Sequence, residues 1–160
     1  MSSNELFEDV FDVQRRDPDG RKFDKVSHRE APAAVSRYVL KSDLYEFEAT
    51  VDINIDIFPL QVGDKVSLCL ARTIHKDGTA ETGKYDKTFP TFSKKETLLD
   101  SYDYVMHGKV FKYGDTHSGG STKLEIYFSF GGLLMKLVGD PSKLKVIEVD
   151  STVYLLIRRL

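Results

Sequence analysis

Asp52, Asn54 and Asp56 stand at alternate positions in the string DINID, the spacing with which a calcium loop presents its first oxygen ligands. That loop also needs glycine at its sixth position and glutamate at its twelfth, where this chain has Ile57 and Gly63. The plainer reading is preferred: a polar strand face that is solvated or turned to a partner. His28, His75, His107 and His117 are scattered, with no close His/Cys pair at zinc spacing. The glycine pairs Gly119-Gly120 and Gly131-Gly132 belong to no phosphate-binding signature and precede no helical pattern, so they read as a loop tip and as a bulge or corner. Cys69 lies between Leu68 and Leu70 with no context that pairs it with a base, and no GxSxG elbow is present. Carboxylates are plentiful, but no spacing sets two of them across a substrate. The chain is expected to have no catalytic residue, no metal and no cofactor, and Cys69 is expected to be an inert structural thiol.

A second kind of chemistry is local charge. From Gln14 to Lys41 there are eight basic residues, Arg15, Arg16, Arg21, Lys22, Lys25, Arg29, Arg37 and Lys41, against four acidic ones. The stretch is +4 in a chain of net −2, so the remainder is −6. With Phe23 and Tyr38 nearby, this combines the charge and stacking that hold single-stranded nucleic acid. These eight residues are the nucleic-acid-binding candidates; the competing reading is a solvated loop region.

The elements that must position these groups are strands. Tyr45 to Ile57 alternates without a break, with Tyr45, Phe47, Ala49, Val51, Ile53, Ile55 and Ile57 on one face and polar residues on the other. At roughly 3.3 Å per residue such a strand would run about 40 Å, long enough to bend around a barrel. Aspartate at Ile53 or Ile55 would then unfold the domain, whereas alanine at Asp52 or Asp56 would leave it folded. Other strands are expected at Leu6 to Val13, around Phe23 to His28, at Val66 to Leu70 or as far as Ile74, at Tyr102 to Tyr113, Leu124 to Phe130, Leu133 to Val138 and Val146 to Ile157. Asp17 to Gly20, Pro59, Gly63-Asp64 and Asp77-Gly78 carry turn chemistry. Residues 29–42 and 79–101 read as loops, the second with at most a short helix capped by Ser93 and Glu96. About eight strands with little helix fit an all-β, single closed antiparallel barrel.

At 160 residues and 41% hydrophobic, the chain suits one domain, residues 1–160. Its near-balanced charge, 23 basic to 25 acidic, is unlike that of an autonomous nucleic-acid binder. A single cysteine favours a reducing compartment, cytosol or nucleus. No run approaches 18 apolar residues, and the start MSSNELFEDVF lacks the plan of a signal peptide, so a soluble, unexported protein is expected.

Five strings fall into register with one family: LFEDVFDV (Leu6 to Val13), DINIDIFP (Asp52 to Pro59), YVMHGKVF (Tyr104 to Phe111), SFGGLLM (Ser129 to Met135) and VYLLIRR (Val153 to Arg159). In their order and in chain length they resemble the small eighth subunit common to the eukaryotic nuclear RNA polymerases I, II and III. The resemblance implies an eight-stranded barrel of the oligonucleotide-binding (OB) type. It implies a non-catalytic subunit docked on the largest polymerase subunit, which assembles or stabilises the enzyme during transcription in the nucleus, including the nucleolus. It further implies weak, non-specific single-stranded DNA binding by the segment after the first strand, here about Asp17 through Lys41. Arg29 to Ser42 departs from the family pattern, and His107 stands where an aromatic is common.

In the SFGGLLM string, Leu133, Leu134 and Met135 follow one another, so at least one apolar side chain must leave the core. Gly131 and Gly132 would let another backbone approach. Tyr127, Gly131, Gly132, Leu133, Leu134 and Met135 are therefore the partner-interface candidates. Two other readings are an independent single-stranded nucleic-acid-binding OB protein and a ligand-carrying barrel. No membrane or small-molecule substrate is expected.

Overall fold

The computed structural model describes residues 5–17, 23–24, 29–30, 35–42, 46–73, 101–118 and 121–160, with the backbone alone at 23–24, 29–30 and 117–118. Its strands are β1 (Glu5–Arg16), β2 (Phe23–Asp24), β3 (Arg29–Glu30), β4 (Val35–Ser42), β5 (Glu48–Asn54), β6 (Lys65–Ala71), β7 (Tyr104–Ser118), β8 (Ser121–Phe130), β9 (Leu133–Gly139) and β10 (Thr152–Arg159). One short helix, α1 (Pro141–Leu144), precedes β10. Eight strands close a barrel in the order β1-β4-β5-β9-β8-β7-β10-β6, and β2 pairs with β3 apart from it. Every strand pairing among the described residues is antiparallel. The expected all-β barrel of eight strands is the observed one, and its architecture is consistent with the OB type.

Alternation builds the interior. Ala49, Val51 and Ile53 of β5, Ile126, Phe128 and Phe130 of β8, and Val66, Leu68 and Leu70 of β6 all enter one core cluster with Phe11, Tyr38 and Leu40. The barrel is thus filled by side chains, as small barrels are, which argues against a carried ligand. Tyr38 is fully buried, and its hydroxyl donates to the Leu60 carbonyl at 2.7 Å. Burial raises its pKa, so the phenol stays a donor. β6 and β10 are buried on both faces, because Cys69, Ala71, Tyr154 and Leu156 form a second cluster on the outside of the barrel with Tyr102 and Val105.

Several boundaries differ from the sequence expectation. The thirteen-residue strand is shortened to seven residues, Glu48–Asn54. Asn54 ends it: its side-chain oxygen accepts from the Asp56 N–H at 3.1 Å, and its carbonyl accepts from the Ile57 and Phe58 N–H groups. This local turn outcompetes the sheet ladder. Ile55 is partly buried and Ile57 is 67% exposed, so the dry face does not extend to Ile57. At the other end, Glu46 adopts φ 59 and Phe47 closes back on Ser42.

The loop expected over residues 29–42 is corrected: it contains β3 and the barrel strand β4. β4 places Ser36, Tyr38, Leu40 and Ser42 inward, and its two inward serines weaken the apolar alternation that would have marked it. β1 runs three residues past Val13, and β7 five past Tyr113. β10 starts at Thr152 rather than Val146, since Asp140 caps α1 by accepting from the Ser142 N–H and Pro141 opens the helix. Asp77-Gly78 and the segment with Ser93 and Glu96 lie outside the described residues.

Candidate interaction surfaces

The β8–β9 connection is a two-residue hairpin, with Phe130 paired to Leu133 and Gly131 and Gly132 at φ 64 and 99. Positive φ at both central residues is the requirement of a type I′ turn, which glycine meets without a Cβ penalty. The pair is therefore a tight turn rather than a bulge. Beyond it, Leu133 is partly buried, Leu134 is 42% exposed and Met135 is in the core. Leu134 is the apolar group that leaves the barrel.

Leu134 is held by β5. Its N–H donates to Asp52 Oδ2 at 3.0 Å, and Asp52 in turn receives Nε and a terminal nitrogen of Arg37 at 2.7 and 3.1 Å. Asp52 is buried, so the polar face of β5 is not simply solvated at this position. The fork of the guanidinium and the strand N–H together satisfy a carboxylate that burial would otherwise penalise. Neither Asp52 nor Asn54 is left as an open ligand for a cation, because Arg37 takes one and Asp56 the other.

Tyr127 sits on the outer face of β8, half-buried. Its hydroxyl donates to Glu125 Oε2 at 2.8 Å, and this hydrogen bond raises the phenol pKa. The Lys112 ammonium lies 5.4 Å from the ring centroid and the Phe111 ring 6.2 Å away. Phe111 is 47% exposed. The sequence reading passed over Phe111, whose exposure follows from a bulge between Val110 and Lys112 that strict alternation does not foretell. Tyr127 and Leu134 share the outer face, since the pairs Ser129↔Leu134 and Tyr127↔Lys136 are successive on it.

The basic candidates divide. Arg16 bonds the Ser36 hydroxyl, pairs with Asp17 at 3.6 Å and lies 5.9 Å from the Tyr38 ring centroid. Arg37 is committed to Asp52. Arg15 and Lys41 are exposed, and neither forms an ion pair among the described residues. Arg29 is placed by its backbone alone, opposite Asp24, and Arg21, Lys22 and Lys25 lie outside the described residues. Four of the eight, Arg15, Arg16, Arg37 and Lys41, have described side chains, and they stand on the adjacent strands β1 and β4, with Arg15 opposite Val39.

Cys69 is buried, and burial pushes its thiol up to about 12, with Glu5 and Glu8 adding to the shift. These two carboxylates and the sulfur lie within 4.8 Å of one another, and the thiol is hydrogen-bonded to Tyr102. His107 packs on Tyr154 with ring centroids 4.5 Å apart, taking an aromatic's place in the outer cluster. An open groove of about 430 Å³ is lined by Leu6, Arg72, Val146, Glu148, Asp150, Ser151 and Thr152. Its mixed lining defines no specific ligand.

A family model described as RNA polymerase Rpb8 matches residues 8–159. The chain belongs to the Rpb8 family. An Rpb8-family relative from Arabidopsis thaliana, "DNA-directed RNA polymerases II, IV and V subunit 8B", is 44% identical over the whole of both chains. One from Dictyostelium discoideum, "DNA-directed RNA polymerases I, II, and III subunit rpabc3", is 43% identical over 96% of each. The Saccharomyces cerevisiae subunit RPABC3 of the same three enzymes is 33% identical over 98% of this chain and 99% of its own. The Rpb8 family match begins within β1 and runs to the end of β10, so both surfaces described above fall within it.

Proposed function

We propose that this chain is a non-catalytic subunit shared by the DNA-directed RNA polymerases I, II and III, acting in transcription in the nucleus, nucleolus included. The observation that carries this reading is similarity along the full chain to relatives whose names describe a shared polymerase subunit. A barrel filled with side chains supports a structural part rather than a reaction vessel. The docking surface on the largest subunit is the outer face at the β8–β9 end, with Leu134 exposed and Tyr127 beside it. Exposed apolar side chains on a small barrel are what a partner covers.

Purification of the tagged full chain from its own cells tests the reading. Polymerase subunits are expected with the wild type and are lost with Leu134→Glu, while the melting temperature of the isolated variant stays close to that of the wild type. Recovery of nucleic acid without any polymerase subunit would instead support an independent single-strand-binding protein. Full co-purification of Leu134→Glu would move the docking surface elsewhere.

A further inference from the structure

β7 is fifteen residues long, but β10 pairs with only its first part, from Tyr104 to Lys109. Val110 makes the last link on that side: its N–H donates to the Ser151 carbonyl at 3.0 Å, and its carbonyl accepts from Asp150 at 2.8 Å. Asp150 then adopts φ 70 and Ser151 closes back on Glu148, so the chain preceding β10 turns away. From Lys112 to Ser118, β7 is paired among the described residues with β8 alone.

The direction of each backbone group in this overhang follows from two independent counts. Val110 spends both its groups on the β10 side; after the bulge, Lys112 is the residue that exchanges bonds with Tyr127, and alternation gives Gly114, Thr116 and Ser118 the same role. Counting back from the other end, Ser118 and Ser121 flank a two-residue connection and form its bonded pair, which gives the same parity. Tyr113, Asp115 and His117 therefore turn their N–H and C=O groups to the open edge. Among the described residues no backbone group meets them there.

We infer that this edge of β7 receives an extended segment of a partner polymerase subunit, added as a further strand beside Tyr113 to His117. A row of alternating donors and acceptors is the template on which another extended backbone pairs. The side chains narrow its chemistry. Tyr113 is 37% exposed, with its hydroxyl held by the Val149 backbone, and so offers a fixed apolar ring. Asp115, two residues on and facing the same way, is exposed and forms no ion pair among the described residues. A strand carrying an apolar residue and, two positions away, a Lys or Arg fits both. The inference rests on the polymerase-subunit reading for the identity of the partner.

Asp115→Pro tests it in the full chain. Proline removes an edge N–H and projects its ring at the incoming strand, while the bonds of Gly114 and Thr116 to β8 remain. In cells expressing tagged wild type and variant, the variant is expected to fold and to co-purify with polymerase at least about tenfold less well. Equal recovery of folded variant would overturn the added strand; failure of the wild type to recover any polymerase would overturn the polymerase reading instead. Hydrogen exchange on the wild type decides the matter even where the variant fails to fold. The peptide over 112–118 should gain about three protected amides in assembled polymerase relative to the free chain, and no gain would overturn the inference. Protection that appears in the free chain as its concentration rises, together with a dimer, would assign the edge to a second copy and overturn it as well.

Discussion

Arg37 of β4 and Asp52 of β5 are cross-strand neighbours joined by two hydrogen bonds of 2.7 and 3.1 Å, and the same carboxylate accepts the N–H of Leu134 from β9. Asp52 therefore ties three strands at the place where the backbone pairing of β5 and β9 stops, at Val51 and Met135. The expectation that Asp52→Ala is harmless changes accordingly. Removing the carboxylate leaves the Leu134 N–H without its acceptor, a loss of about 1–3 kcal/mol. Arg37→Ala should cost less, because the Arg37 side chain is 42% exposed and water can take over part of its role. Urea unfolding of both single variants and of the double variant should show a coupling between them; additive effects would mean that the pair does not act as a unit.

Ile53 and Ile57 lie on one face of the DINIDIFP string but have opposite fates. Ile53 is fully buried, and Ile57 is 67% exposed beyond the Asn54 turn. Ile53→Asp should unfold the chain, since a buried unpaired carboxylate costs several kcal/mol. Ile57→Asp should leave the melting temperature nearly unchanged. Circular dichroism melts of the two variants check this contrast, and equal destabilisation of both would show that the strand continues to Ile57.

The alternation read over Leu124 to Phe130 and Leu133 to Val138 was legible because β8 and β9 bury one face there and leave the other partly wet. β4 was not, because it sets Ser36 and Ser42 among its inward positions and follows an Ala-Pro-Ala-Ala run. The end of β5 was hidden for the opposite reason: a perfect pattern continues through a turn made by one Asn side chain. Of the candidate surfaces, the exposure of Leu134 followed from three consecutive apolar residues. The division among the arginines did not, since the partners of Arg16 and Arg37 stand 20 and 15 residues away in sequence, at Ser36 and Asp52.

Cys69 gives a chemical test of the outer cluster. Its thiol is raised from 9.0 to about 12, first by burial. The protonated form is thus favoured in the folded state, and its contribution to stability is complete below about pH 9 and is lost as pH rises from there toward 12. Iodoacetamide at pH 8 should leave the native chain unlabelled and label it fully in denaturant. Rapid labelling of the native chain would contradict the buried, protonated thiol.

Single-stranded DNA binding, if carried by the basic stretch, should depend on the exposed cations among its described residues. Neutralising Arg15 and Lys41 should lower the dependence of log K on log salt by about 0.7 for each phosphate that is no longer neutralised. Arg16→Ala and Arg37→Ala should instead lower the melting temperature, because their bonds to Ser36, Asp17 and Asp52 disappear. A salt titration of all four variants separates these effects. An unchanged slope for Arg15 and Lys41 would remove both from any phosphate-binding role.

The shared-subunit assignment is tested most directly in the reverse direction, by purifying polymerases I, II and III separately, each through a tag on its own largest subunit, and measuring how many copies of this chain accompany each. One copy is expected in every one of the three enzymes. Absence of the chain from all three would contradict it, and presence in a single enzyme would contradict the claim that the subunit is shared.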